Sequence, residues 1–173
     1  MKKFTIIISI IVVIVILSLF PLTSALIFYD KNTEDVIAYR PLKQGDTFEI
    51  IFVHSIHLED VTEKYVITED NQIKQFEMVF SQFGIGMPSE VKEDEQIYYE
   101  DGFYHLTNIN HVFDSLQIRN GKTVSEHRFV WKQKGKQRKQ VHLNDYVNEG
   151  AWFTLKIEKL SLLDLLREVK IHE

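Results

Sequence analysis

Hydrophobic and polar positions divide the chain into three regimes. From Phe4 to Tyr29 no charged residue interrupts a stretch whose centre, "IIISIIVVIVILSLF", is almost wholly aliphatic. From Leu26 onward, apolar and polar residues alternate with period two in short runs separated by turn residues, the pattern of antiparallel β structure. At the far end Leu162, Leu165, Leu166 and Val169 fall at i, i+3, i+4 and i+7 behind Ser161, which predicts a short helix with a serine N-cap.

The period-two region predicts strands at "LIFYD", "VIAYR", "TFEIIFVHS", "VTEKYVITE", "IKQFEMVF", "IYYE", "FYHL", "HVFDSLQIR", "KTVSEHRFVW", "KQVHL" and "AWFTLKIEK". Asp101-Gly102 and Asn120-Gly121 each sit between such runs, and both dipeptides accept the positive φ of a two-residue type I′ turn, so each predicts a hairpin. The expected fold is all-β: a compact antiparallel β-sandwich or barrel with an N-terminal membrane helix, and a short C-terminal helix covering one face. Two regions follow, a transmembrane anchor or signal segment at 1–28 and an extracytoplasmic β domain at 29–173.

A membrane crossing needs about 20 apolar residues. Ile6 to Phe20 falls a little short, and Leu22 to Phe28 is expected to complete it. "LTSA" after Pro21 also reads as a signal-peptide end, with a cut near Ala25, so anchor and cleaved signal both stand. Either sends the remainder out of the cytoplasm, because Lys2 and Lys3 hold the N-terminus inside. Loss of those two lysines takes the formal charge from −5 to −7. An acidic domain is a poor nucleic-acid partner, since neutralising phosphates needs clustered Lys and Arg. There is no cysteine, hence no disulfide framework.

Candidate chemistry concentrates in "FVHSIHLEDVTEKY". The strand pattern places Phe48, Ile50, Phe52 and His54 on one face and Ile51, Val53 and Ser55 on the other. In the next strand Glu63 shares the inward face with Val61, Tyr65 and Ile67. A buried carboxylate must find donors or take up a proton. His54, Ser55, His57 and Glu63 therefore form a candidate pocket. It has a metal reading (His54, His57, Glu63), a Ser-His-acid reading, a solute-binding reading and a purely structural one, a buried Glu–His or Glu–turn network that fixes the loop, with His54, His57, Ser55 and the turn's backbone N–H groups as donors. No second metal anchor and no G-x-S-x-G elbow accompanies them, so no metal ligand and no catalytic residue is assigned.

"FSQFGIGMPSE" supplies a candidate loop, Gly84, Gly86 and Pro88, which could offer backbone N–H groups to an anion but lacks the residues of a P-loop. "WKQKGKQRKQ" reads as a basic hairpin tip around Gly135 that could meet anionic lipid headgroups. No cofactor motif is present.

These pieces in order, with His54-Ser55 on an apolar strand, Glu63 downstream, then Gly84-x-Gly86-x-Pro88, resemble an uncharacterised family of short bacterial exported proteins. The likeness covers most of residues 26–160. The resemblance implies a place beside the membrane components of tripartite ATP-independent (TRAP) transporters of the TAXI type, hence an accessory role in solute uptake, and it carries no catalytic residues. His57, Glu59 and Asp60 stand outside that pattern. The leading expectation is a membrane-tethered extracytoplasmic binding or accessory protein whose partner is a transporter permease or solute receptor. The alternatives are an extracytoplasmic hydrolase using His54, Ser55 and Glu63, and a structural envelope protein.

Overall fold

The computed structural model describes residues 2–124 and 126–172. Helix α1 (Lys2–Ser18) is followed by eleven strands: β1 (Pro21–Asp30), β2 (Val36–Pro41), β3 (Thr47–Val53), β4 (Asp60–Ile67), β5 (Ile73–Phe80), β6 (Gln96–Glu100), β7 (Phe103–Phe113), β8 (Leu116–Arg119), β9 (Arg128–Lys132), β10 (Lys139–His142) and β11 (Trp152–Ser161). Helix α2 (Leu162–Arg167) closes the chain of elements. The strands form two antiparallel sheets, β2-β1-β11-β8 and β10-β9-β3-β4-β5-β7-β6. They stack as a sandwich and do not close into a barrel.

The main core lies between the sheets. Leu26, Phe28, Phe153, Leu155 and Ile157 of the small sheet meet Phe48, Ile50, Tyr65, Ile67, Phe129 and Trp131 of the large one. Phe28 packs edge-on to Phe129 at 5.2 Å and stacked on Phe153 at 5.8 Å, geometries that the ring quadrupole favours. Four strands cannot cover seven. On the overhang, the inner face of β5 and β7 carries a second cluster, in which Met78, Phe80, Leu106 and Ile109 join Val61 of β4. Met87, from the connection between β5 and β6, packs on that cluster, so part of the overhang is roofed by chain rather than by a sheet.

Several expectations change. β1 starts at Pro21, and Ala25, Leu26, Ile27 and Phe28 are fully buried between β2 and β11. Leu22 to Phe28 therefore belong to the sandwich and do not complete a membrane crossing, and the boundary expected at 28 falls before β1. The apolar strand pairs on both edges and fills the core, which a lipid environment would not satisfy. α1 has 17 residues, about 25 Å at about 1.5 Å each, against about 30 Å of hydrocarbon. Among the described residues no helix is long and apolar enough to cross a membrane.

The Asp101-Gly102 hairpin forms as expected, with Tyr99 opposite Tyr104, Tyr98 opposite His105 and both turn residues at positive φ. The Asn120-Gly121 hairpin does not. β8 pairs with β11 instead, and the buried Asn120 amide donates to the Asn144 side chain and to the carbonyl of Val147. "FYHL" and the start of "HVFDSLQIR" are one strand, β7, whose register slips around Asn108, itself at φ 59°. α2 forms as expected. Ser161 accepts from the Asp164 N–H, and the Asp164 carboxylate accepts in return from the Ser161 N–H, a complete capping box.

Candidate functional site

β3 lies between β9 and β4 with Phe48 and Ile50 buried on its inner face and Ile51 buried on the outer one, and its last residue hands the chain to a tight turn at 54–59. His54 N–H donates to Glu59 O and Leu58 N–H donates to His54 O, which closes that turn with Leu58 at φ 56°. The His54 ring is buried. Its Nε2 lies 3.0 Å from Ile85 O, and its Nδ1 faces the backbone N–H groups of Ile56 at 3.4 Å and His57 at 3.3 Å. A carbonyl can only accept and an amide N–H can only donate, so Nε2 carries the proton and Nδ1 is the acceptor. Both nitrogens are spent on backbone.

The partner carbonyl belongs to the residue between the two glycines of the candidate loop. Gly84 lies against His57, whose Nε2 would stand 2.7 Å from a Cβ at that position, so a side chain there would have to displace the ring. Gly86 has φ 86°, where glycine is at ease. His57 in turn stacks on His54 with 4.7 Å between ring centroids. The two sequence candidates, the histidine turn and the Gly-x-Gly loop, are thus halves of one lock joining residues 54–59 to residues 84–87.

Glu63 is not part of it. It sits opposite Ile50, four residue positions from His54 along β3, about 13 Å at about 3.3 Å per residue. Its carboxylate accepts instead from the Tyr65 hydroxyl at 2.7 Å. Burial pushes the Glu63 carboxyl above the usual carboxylate range, and the bond from Tyr65 only partly offsets it. Ser55 is exposed on the turn. In place of the Glu–His or Glu–turn network expected to fix the loop stand two separate arrangements, His54 with backbone and Glu63 with Tyr65. The hydrolase alternative needed His54, Ser55 and Glu63 together, with a free nitrogen on the histidine. Neither condition is met here.

The lock leaves an exposed tip. Ile56 and Leu58 on the turn, and Phe83 and Ile85 on the loop, are all largely exposed, Ile85 at 80%. Phe83 is braced by Phe80 and Tyr104 at 5.1 and 4.7 Å. Pro88, the last residue of the loop candidate, lines a separate cleft of about 380 Å³ on the overhanging sheet. Its floor is Gln75, Met78, Leu106 and Ile109, and its rim carries Lys92 and His111, with Lys92 Nζ 2.5 Å from His111 Nε2. Reading the sequence alone missed this cleft. The inward-facing polar Gln75, opposite His111 in register, was the one available signal.

A buried histidine and a half-buried ion-pair cluster escaped it as well. His127 stacks on Phe52 at 5.6 Å, accepts from the Gly121 N–H at Nδ1, and burial pulls its imidazole down to about 4. On the opposite face of the large sheet, Glu77 accepts from Lys64 at 2.9 Å and His105 at 3.0 Å. Among the described residues no three His, Asp or Glu side chains gather in a metal-holding arrangement.

A family profile described as a domain of unknown function, DUF1850, matches residues 48–137, which holds β3 through the β9–β10 turn and so both halves of the lock. No curated protein and no solved structure matches the chain.

Proposed function

The chain belongs to the DUF1850 family, a domain of unknown function whose profile covers just over half of it, and from that premise we propose that it is a binding module and not an enzyme. On this reading α1 enters the membrane and tethers the sandwich outside the cytoplasm, where it serves as an accessory of a solute transporter of the TRAP type. The observation that carries the binding reading is the tip. Ile56, Leu58, Phe83 and Ile85 expose large apolar side chains on two loops, and those loops are fixed relative to one another through His54 and Ile85 O. Apolar groups held rigid in water cost solvation without gaining core packing, and such patches mark interaction surfaces. A pre-ordered surface also loses less entropy on association.

The transporter association rests on the family resemblance and on the tether, and the partner that fits is a protein with a complementary apolar surface, the permease or its solute receptor. The test is photo-crosslinking in native membranes, with a photoreactive amino acid at Ile85 or Leu58 and, as control, at Tyr99. Recovery of a transporter component from the tip positions alone is the expected result. Equal recovery from all three positions, or none, would sink the reading.

A further inference from the structure

The opposite end of the sandwich carries its own exposed apolar groups. Leu19, Phe20 and Leu22, between α1 and the body of β1, are each more than half exposed. Pro21 pairs with Ser161, so α2 starts beside them. Leu165 packs α2 onto the outer face of the small sheet with Ala25, Ile27 and Tyr39, and the Tyr39 hydroxyl donates to Leu165 O. Leu162, Leu163 and Leu166 then point away, Leu166 at 85% exposure, and α2 has no buried residue. Leucine on the outer stripe of a surface helix, next to an exposed apolar linker, is unexplained by the packing of this domain.

The charge at that end is also uneven. The β9–β10 turn presents Lys132, Lys134 and Lys136 to solvent. Gln133 donates to Pro41 O, and the Lys134 N–H donates to the buried Asp46 carboxylate, which fixes the turn at the level where β1 begins. One groove is lined by Leu22, Thr23, Ser24, Asp46 and Gln133 together. Arg138 is engaged by Glu49 at 2.8 Å, which neutralises its charge. Glu69 and Asp70 in the β4–β5 turn, Asp164 on α2 and Glu168 just after it are acidic residues of the same end, so the positive field is local to the lysine hairpin.

We infer that this end is a membrane-docking face: Leu162, Leu163 and Leu166 of α2 insert at the headgroup–acyl boundary, and the 132–136 hairpin contacts anionic lipid headgroups. The inference rests on the tethered reading above. α1 alone falls about 5 Å short of the hydrocarbon thickness, and a short span is accommodated by drawing flanking groups toward the interface. The residues drawn in here are apolar already, in continuity with α1. An apolar stripe beside lysines is the composition of an interfacial segment, binding through buried apolar area and attraction to anionic lipid.

The chain has no cysteine, so single probes can be placed without background. The full chain carrying Leu163→Cys, Leu166→Cys, Ile85→Cys or Val12→Cys is labelled with an environment-sensitive fluorophore and reconstituted in vesicles of phosphatidylglycerol and phosphatidylcholine. Quenching by aqueous iodide and by brominated lipid is then compared. Probes at 163 and 166 are expected to be several-fold less quenched by iodide than the probe at 85, and to be quenched by brominated lipid. Replacing Lys132, Lys134 and Lys136 by Glu should reduce the lipid quenching in anionic vesicles.

If 163 and 166 match 85 while 12 is lipid-quenched, docking falls and the tether stands. If 12 is not lipid-quenched, tether and docking fall together. Shielding from iodide without lipid quenching would mean that a second copy of the chain covers the face, and overturns the assignment. Equal lipid quenching in vesicles of phosphatidylcholine alone would overturn the role given to the lysines.

Discussion

Replacing His54 tests whether the lock between the two loops is real. His54→Ala removes the bond to Ile85 O, two longer bonds to the Ile56 and His57 amides and the stack on His57. The bond to Ile85 is worth about 1 kcal/mol net, and the two long ones together about 0.5. The ring contact adds roughly 0.5–1 kcal/mol, for a total of about 2–2.5 kcal/mol. Water can enter the vacated space and reach the partnerless His57 Nε2, so no larger cavity term is added. His54→Phe keeps the stack and loses only the hydrogen bonds, about 1–2 kcal/mol. Urea unfolding reads both: with a slope of about 1–3 kcal/mol per molar, the alanine variant should shift the midpoint by about 1 M and the phenylalanine variant by about half that. Hydrogen exchange adds the local readout, because the Met87 amide donates to Gly84 O within the pinned loop and should lose protection in both variants. Wild-type midpoints together with unchanged exchange at Met87 would refute the lock, and with it the claim that the tip is pre-ordered.

Three more outcomes follow from the same contacts. Glu63 has a raised folded-state pKa, so the folded protein holds that proton more tightly than the unfolded chain and stability falls as pH rises from the unfolded carboxyl value through the folded one. Glu63→Gln, which can still accept from Tyr65, should therefore gain stability relative to wild type at neutral pH, and parallel pH–stability curves for the two would refute this. His127 has the opposite sign: its folded value of about 4 lies below the unfolded one, so its stabilisation is complete above about pH 6.5 and is lost as pH falls toward 4, by up to about 3 kcal/mol. His127→Phe should lose that acid sensitivity in urea titrations at pH 4.5 and 7, and an undiminished slope would count against burial as the cause. A cut after Ala25 would strip β1 of half its pairing with β11, so a chain starting at Leu26 should fail to unfold cooperatively by circular dichroism, whereas a cooperative transition would show that the N-terminal half of β1 is dispensable.

The parts of the fold legible in sequence are those set by local pattern. β5 matches its predicted bounds, and the Asp-Gly turn pairs the aromatic residues as the two-residue geometry dictates. Asn-Gly at 120 carries the same local signal, yet its side chain bridges a loop 24 and more residues away, and that tertiary demand prevails. The inward turn of Glu63 is legible from alternation, but its donor is Tyr65, its own same-face neighbour two residues on, rather than the histidines, Ser55 or the turn backbone that lie nearer the joint in sequence. His54's partner could not be read at all, because a backbone carbonyl 31 residues away has no side-chain signature. The apolar run from Phe4 to Tyr29 hid its own boundary, since a buried strand and a membrane segment share one composition.

His54, Gly84 and Gly86 together hold the turn at 54–59 against the loop at 84–87. Gly84 is small because His57 fills the space where a side chain would go, Gly86 turns the loop, and His54 ties both to the end of β3. The information for partner choice then lies in what the lock displays, the side chains at 56, 58, 83 and 85. β3 runs from the lysine-hairpin end, where Thr47 pairs with Lys132, to the tip, where Val53 pairs with Asp60. Seven residues at about 3.3 Å make about 23 Å between the two ends. On the tethered reading the tip stands roughly that far above the bilayer, beyond the reach of short loops on a membrane-embedded permease. On that same proposal, a solute receptor docking at this height is the component expected to crosslink to Ile85 first, with the permease joining only where one of its extracytoplasmic loops is long.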